Sequence, residues 1–199
     1  MSVKLPILRA ADYQYFLKLK KAIVFCLLIF IYGILVGVLI SKIIPELSET
    51  ILKTLREVSQ KTKELNDYQL LLAIFLNNAV KIFFAIVLGV FFGLAPWLFL
   101  FVNGYLVGFL ALITYHSIGL STFWLGVLPH GIFELPGVIL GSSAGLFLGE
   151  TFFRKIFLKQ KITMRKEISE ALAFFGRVIV PLLFIAAFVE VFITKSLLS

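Results

Sequence analysis

One cysteine, Cys26, is all this chain has, which excludes an intramolecular disulfide. Charge is scarce as well: Asp, Glu, Lys and Arg together are 15% of 199 residues, against about 25% in an average soluble domain. No phosphate-binding loop, dinucleotide fingerprint or serine nucleophile elbow is present. With only two histidines, His116 and His130, the H-E-x-x-H zinc signature is missing too. The commonest nucleotide-dependent and hydrolytic chemistries therefore have no motif here. What fills the chain is apolar. Hydrophobic residues are 60% of it and the mean hydropathy is +1.03. Such a composition points to a polytopic membrane protein of one domain, an all-α transmembrane bundle.

Five apolar runs are predicted to span: Ala22–Ser41, Gln69–Leu94, Trp97–Ser117, Pro129–Glu150 and Val178–Leu198. Each is long enough to cross a hydrocarbon layer of ~30 Å at ~1.5 Å per residue. Pro45, Pro96 and Pro129 stand at their ends, where a missing N–H does least harm. The first run is too long for a signal-peptide core and no small-residue cleavage pattern follows it, so it is expected to be retained. Ser121–Leu128 is apolar but too short to span, and is expected to be an interfacial or re-entrant piece.

Basic residues set the expected orientation. With five spans, the N-terminal segment (Lys4 to Lys21) and the loop after span four (Arg154 to Arg177) share one side and hold twelve Lys and Arg, against six on the other. The positive-inside rule then puts the N-terminus in the cytoplasm and the C-terminus outside, in the plasma membrane. The net charge of +8 belongs to these lipid-facing flanks, not to a nucleic-acid partner. Two soluble segments look amphipathic. Glu46–Tyr68 carries Leu47, Ile51, Leu55 and Val58 at helical spacing and is expected to be an external helix. The basic segment 154–177, with Ile162, Ile168, Leu172 and Phe175, is expected to lie at the cytoplasmic interface against anionic lipid.

Ionisable groups inside spans are costly, and each requires a partner. His130 and Glu134 lie one helical turn apart, followed on the same face by Gly137, Gly141, Gly145 and Gly149 if the helix runs through Pro136. Counting along the spans puts Asn77, Asn78, Lys81, His130, Glu134 and Glu190 in the outer half of the membrane, with Asn103 toward the inner half. The simplest reading of this polar set is a network that locks the bundle. The chemical readings are a divalent-metal or proton site, a transport path and intramembrane catalysis. For a metal, His130, Glu134 and Glu190 are the candidate ligands, zinc the first candidate ion, and water completes the shell. The glycine face, with Gly33/Gly37, Gly89/Gly93 and Gly104/Gly108, suits close helix packing, either within one chain or in a homodimer.

The set Asn77-Asn78, Asn103-Gly104 with Gly108, Pro129-His130-Gly131-x-x-Glu134-Leu135-Pro136 and Ala187-x-x-Glu190-x-Phe192-Ile193-Thr194 resembles the stage II sporulation protein M family of integral membrane proteins. The likeness covers spans two to five. The family's best-known member belongs to a membrane complex with cell-wall hydrolases during spore engulfment, and many relatives occur in organisms that do not sporulate. The resemblance implies a membrane scaffold or assembly component rather than an enzyme, with lipid, a second copy and other membrane proteins as partners. A transporter or permease subunit using Glu134, Glu190 and Lys81 is the alternative, ahead of a metal-dependent membrane enzyme.

Overall fold

The computed structural model describes residues 9–44, 46, 49–54, 57, 60, 64–117 and 119–194. The described residues form helices and their connections, with no strand. Five helical stretches are long and apolar enough to cross a membrane. They are α1 (Ala10–Ile43), α2 (Asp67–Gly89), α3 (Leu94–Ser117), α4 (Leu120–Phe157) and a compound fifth stretch. The fifth begins as α5 (Met164–Phe174), passes through a π-helical turn (Phe175–Ile179) into α6 (Val180–Val189), and closes with a second π-helical turn (Glu190–Thr194). The expected external amphipathic segment falls in part outside the described residues, where Leu47, Leu55 and Val58 lie, as does Pro45 before it.

Four boundaries differ from the sequence expectation. α1 starts twelve residues before the apolar run, at Ala10, and its 34 residues make it ~51 Å long. Its first three turns therefore project beyond a ~30 Å hydrocarbon layer. They stay helical because their inward positions, Asp12, Tyr15 and Leu19, repeat at helical spacing and are buried against the rest of the chain. Pro129 does not end a helix. It lies inside α4 with Pro136, and 121–128 is the beginning of that helix, not a re-entrant piece. The basic segment does not lie free at the interface: from Met164 it is continuous with the fifth span. Its Ala171 and Phe174 are buried, and Ile168, Leu172 and Phe175 pack on the core. Protein, not lipid, covers that apolar face.

The break between α2 and α3 lies at 90–93, a few residues before the expected Leu94–Trp97 boundary. Phe92 (φ 58°) and Gly93 (φ 73°) both take the left-handed conformation there. Gly93 does so at little cost, whereas Phe92 does not. Pro96 sits in the first turn of α3, where its missing N–H has no helical partner to lose.

α4 is the centre of the bundle. Half of its apolar stretch is buried, against 22–33% for the other four, and it packs on α1, α2, α3 and α6. Glycine makes these approaches close. Gly33 and Gly37 of α1 lie on the backbone of α3 at Phe101 and Tyr105, and Gly104 and Gly108 of α3 lie on α1 at Phe30 and Ile34. Gly89 and Gly93 meet Gly145 and Gly149 in the same way, backbone against backbone. Gly137 receives Leu183 of α6, and Gly141 receives Ile82 of α2. Lipid gives no hydrophobic drive for helices to associate, so contact area gained by removing side chains is what holds them. The three glycine pairs and the glycine face of α4 are all filled within one chain.

Candidate functional site

α4 carries two polar side chains into its neighbours, one turn apart. Helical continuity through Pro129 and Pro136 keeps His130 and Glu134 on one face. Glu134 Oε1 accepts a hydrogen bond from Asn78 Nδ2 of α2 at 3.0 Å. Asn78 Oδ1 in turn accepts from Asn77 Nδ2 at 3.4 Å. His130 Nε2 lies 4.0 Å from Glu134 Oε2, and its other nitrogen, Nδ1, is in contact with Glu190 Oε2. Glu190 opens the final π-helical turn, a wider turn that changes the phase of the helix at this residue. One imidazole of α4 thus stands between two carboxylates, one on its own helix and one on the final turn, and α2 joins through Asn78 at Glu134.

The expected cluster is thus assembled in part. His130, Glu134, Glu190 and Asn78 meet, and Asn77 touches the edge from an exposed position. Lys81 stays apart: it is exposed, forms no ion pair with a described residue, and acts on Glu134 only through its charge. Asn103 is not a member. Its Nδ2 donates to Phe99 O of its own helix at 2.7 Å, which satisfies it one turn back. Among the described residues no three His, Cys, Asp or Glu side chains are grouped to hold a metal ion. The two nitrogens of His130 face different carboxylates, Nε2 toward Glu134 and Nδ1 toward Glu190.

A second ionic site, at the other end of the bundle, was not singled out in the sequence. Asp12 of α1 is 1% exposed. Arg177 Nε donates to its Oδ1 at 2.9 Å and to its Oδ2 at 3.2 Å, and Arg177 Nη2 donates to Oδ1 at 2.6 Å. The Arg9 N–H adds a bond to Oδ2 at 3.0 Å, closing the N-terminal cap of α1. Lys18 Nζ bonds Glu170 at 2.6 Å and lies 3.5 Å from Glu167. Tyr15 packs its ring on Phe174 and Phe147. These contacts place the beginnings of α1 and α5 at the same end, as an even number of intervening crossings requires. Arg177 and Glu190 lie ~20 Å apart along the fifth stretch, so the two ionic sites occupy opposite halves of the bundle. The only local signal for the second was an acid three residues after Arg9 in a basic flank, and its distant partner has no sequence signature.

The family model for stage II sporulation protein M matches residues 26–195. That range holds the whole His130 cluster and leaves out Asp12 and Lys18. An uncharacterized protein of Methanocaldococcus jannaschii is 29% identical over 124 residues, 61% of this chain and 70% of the relative. No solved structure matches the chain.

Proposed function

The chain belongs to the stage II sporulation protein M family, and from that premise we propose that it is a non-enzymatic scaffold of the membrane, an assembly component whose His130 cluster is a brace. One observation carries this reading: His130 is tied to Glu134 on its own helix and to Glu190 on the last turn, while Glu134 is tied to Asn78 on α2. Polar contacts that join α2, α4 and the final turn fix the register of those helices. The N-terminus lies in the cytoplasm in this reading, because the basic flanks gather at the Asp12–Arg177 end. Other membrane proteins are the partners, and a second copy would dock on a face away from the glycines.

The test is made in proteoliposomes and in native membranes. Glu134→Gln and His130→Ala should lower the melting temperature, and zinc should not co-purify stoichiometrically. A membrane partner should be recovered at a fixed ratio to the chain. Solute flux or turnover that Glu134→Gln abolishes, with folding intact, overturns the scaffold reading.

A further inference from the structure

A groove of about 400 Å³ opens between α1 and α4 near the Asp12–Arg177 end. Lys21 and Phe25 line it from α1, Leu146, Glu150 and Phe153 from α4, and Phe92 from the α2–α3 turn. It lies where the basic flank of α1 gives way to its apolar stretch at Ala22, the level at which lipid headgroups meet acyl chains.

Two independent observations point to an occupant. The first is strain. Phe92 holds a left-handed backbone (φ 58°) that glycine would adopt freely. Its ring is nevertheless kept, propped by Phe152 at 5.8 Å and Phe157 at 6.1 Å, and half of the residue remains exposed to the groove side. Strain of this kind persists where a side chain is needed in place. The second is charge. Glu150 has Arg154 at 3.7 Å, while Lys21 is exposed and forms no ion pair with a described residue. The mouth therefore presents an unpaired cation above aromatic and aliphatic walls.

We propose that this groove binds one glycerophospholipid, its phosphate on Lys21 and the first methylenes of an acyl chain against Phe25, Phe92, Leu146 and Phe153. An ammonium meets a phosphate as a point charge, and flat rings meet methylenes with little entropy lost. The site is independent of the scaffold reading and stands or falls by itself.

Native mass spectrometry of the delipidated full chain, titrated with phosphatidylglycerol, phosphatidylethanolamine or diacylglycerol, tests it. The wild type should hold one molecule of either phospholipid per chain, and no diacylglycerol. Lys21→Gln should weaken phospholipid binding at least tenfold and Lys20→Gln less than twofold. Phe92→Gly, which removes the wall without straining the backbone, should weaken it as well, with melting curves showing that each variant is folded. Equal effects of Lys20→Gln and Lys21→Gln, wild-type binding by Lys21→Gln, or retention of diacylglycerol overturns the proposal.

Discussion

Arg177 grips Asp12 across 165 positions of sequence, with three hydrogen bonds of 2.6–3.2 Å to a carboxylate that is 1% exposed. The contact joins the projecting start of α1 to the first π-helical turn of the fifth stretch. With the Lys18–Glu170 pair and the Tyr15–Phe174 ring contact, it holds together the first and last spanning helices.

This pair predicts an acid limb in stability. The Arg177 hydrogen bonds hold the Asp12 carboxyl below its usual value of 3.8. In the unfolded chain the group takes up its proton first as pH falls, so the folded state loses the contribution through and below that value. Above about pH 5 the contribution is whole. Asp12→Asn should cost about 1–3 kcal/mol at pH 7. The gap in melting temperature between wild type and variant should stay constant from pH 7 to 5 and close below about pH 4. A gap that persists unchanged to pH 3 would show that the pair contributes through shape alone.

At the opposite end, His130→Ala leaves Glu134 and Glu190 facing each other without the bridging imidazole. The three side chains are 19–35% exposed, so the expected loss is about 2 kcal/mol, less than the 3–5 kcal/mol of a fully buried pair. Removing one carboxylate should relieve the other. The double variant His130→Ala/Glu190→Gln is expected to be more stable than His130→Ala alone, with a coupling energy of about 1 kcal/mol or more in a double-mutant cycle. Strict additivity would mean that the imidazole and Glu190 do not interact.

Two intramembrane asparagines, Asn78 and Asn103, should behave differently. Asn78 donates to Glu134 on another helix, and Asn78→Ala should cost about 1–2 kcal/mol. Asn103 bonds only its own helix at Phe99, and Asn103→Ala should change stability by less than about 0.5 kcal/mol. Unfolding in mixed micelles measures both, and a reversed order would contradict this assignment of partners.

Glycine substitutions separate close approach from open space. A Cβ at Gly145 would lie 2.5 Å from the Ala85 carbonyl oxygen, and backbone cannot step aside. Gly145→Ala should therefore cost at least ~2 kcal/mol. At Gly131 the nearest atom is Val127 Cγ1 at 3.6 Å, an ordinary contact. There, Gly131→Ala should be neutral or stabilise by about 0.5–1 kcal/mol. Equal melting temperatures for the two variants would contradict the α2–α4 contact at Gly145.

The His130–Glu134 spacing was legible because helix period is local: residues four apart share a face whatever surrounds them. Asn78 and Glu190 were legible as costly polar groups at a similar depth, since depth follows from counting along a span. Lys81 met the same criterion and still pairs with none of them, because depth says nothing about azimuth. Pro129 misled for a related reason. Proline usually marks an end, yet at the centre of a packed bundle the helix continues past it.

The sequence by itself determined that this chain is five apolar helices, because lipid leaves a backbone no partner but its own helix and hydropathy is a sum over neighbours. It also determined which residues would be expensive in a membrane. Only the tertiary structure decided where those residues turn. It set His130 between two carboxylates, filled the glycine face of α4 with its own neighbours, and paired Asp12 with Arg177. Each of these rests on which helix lies beside which, and at what rotation. That choice is made by shape and charge between segments far apart in the chain, where no local period records it.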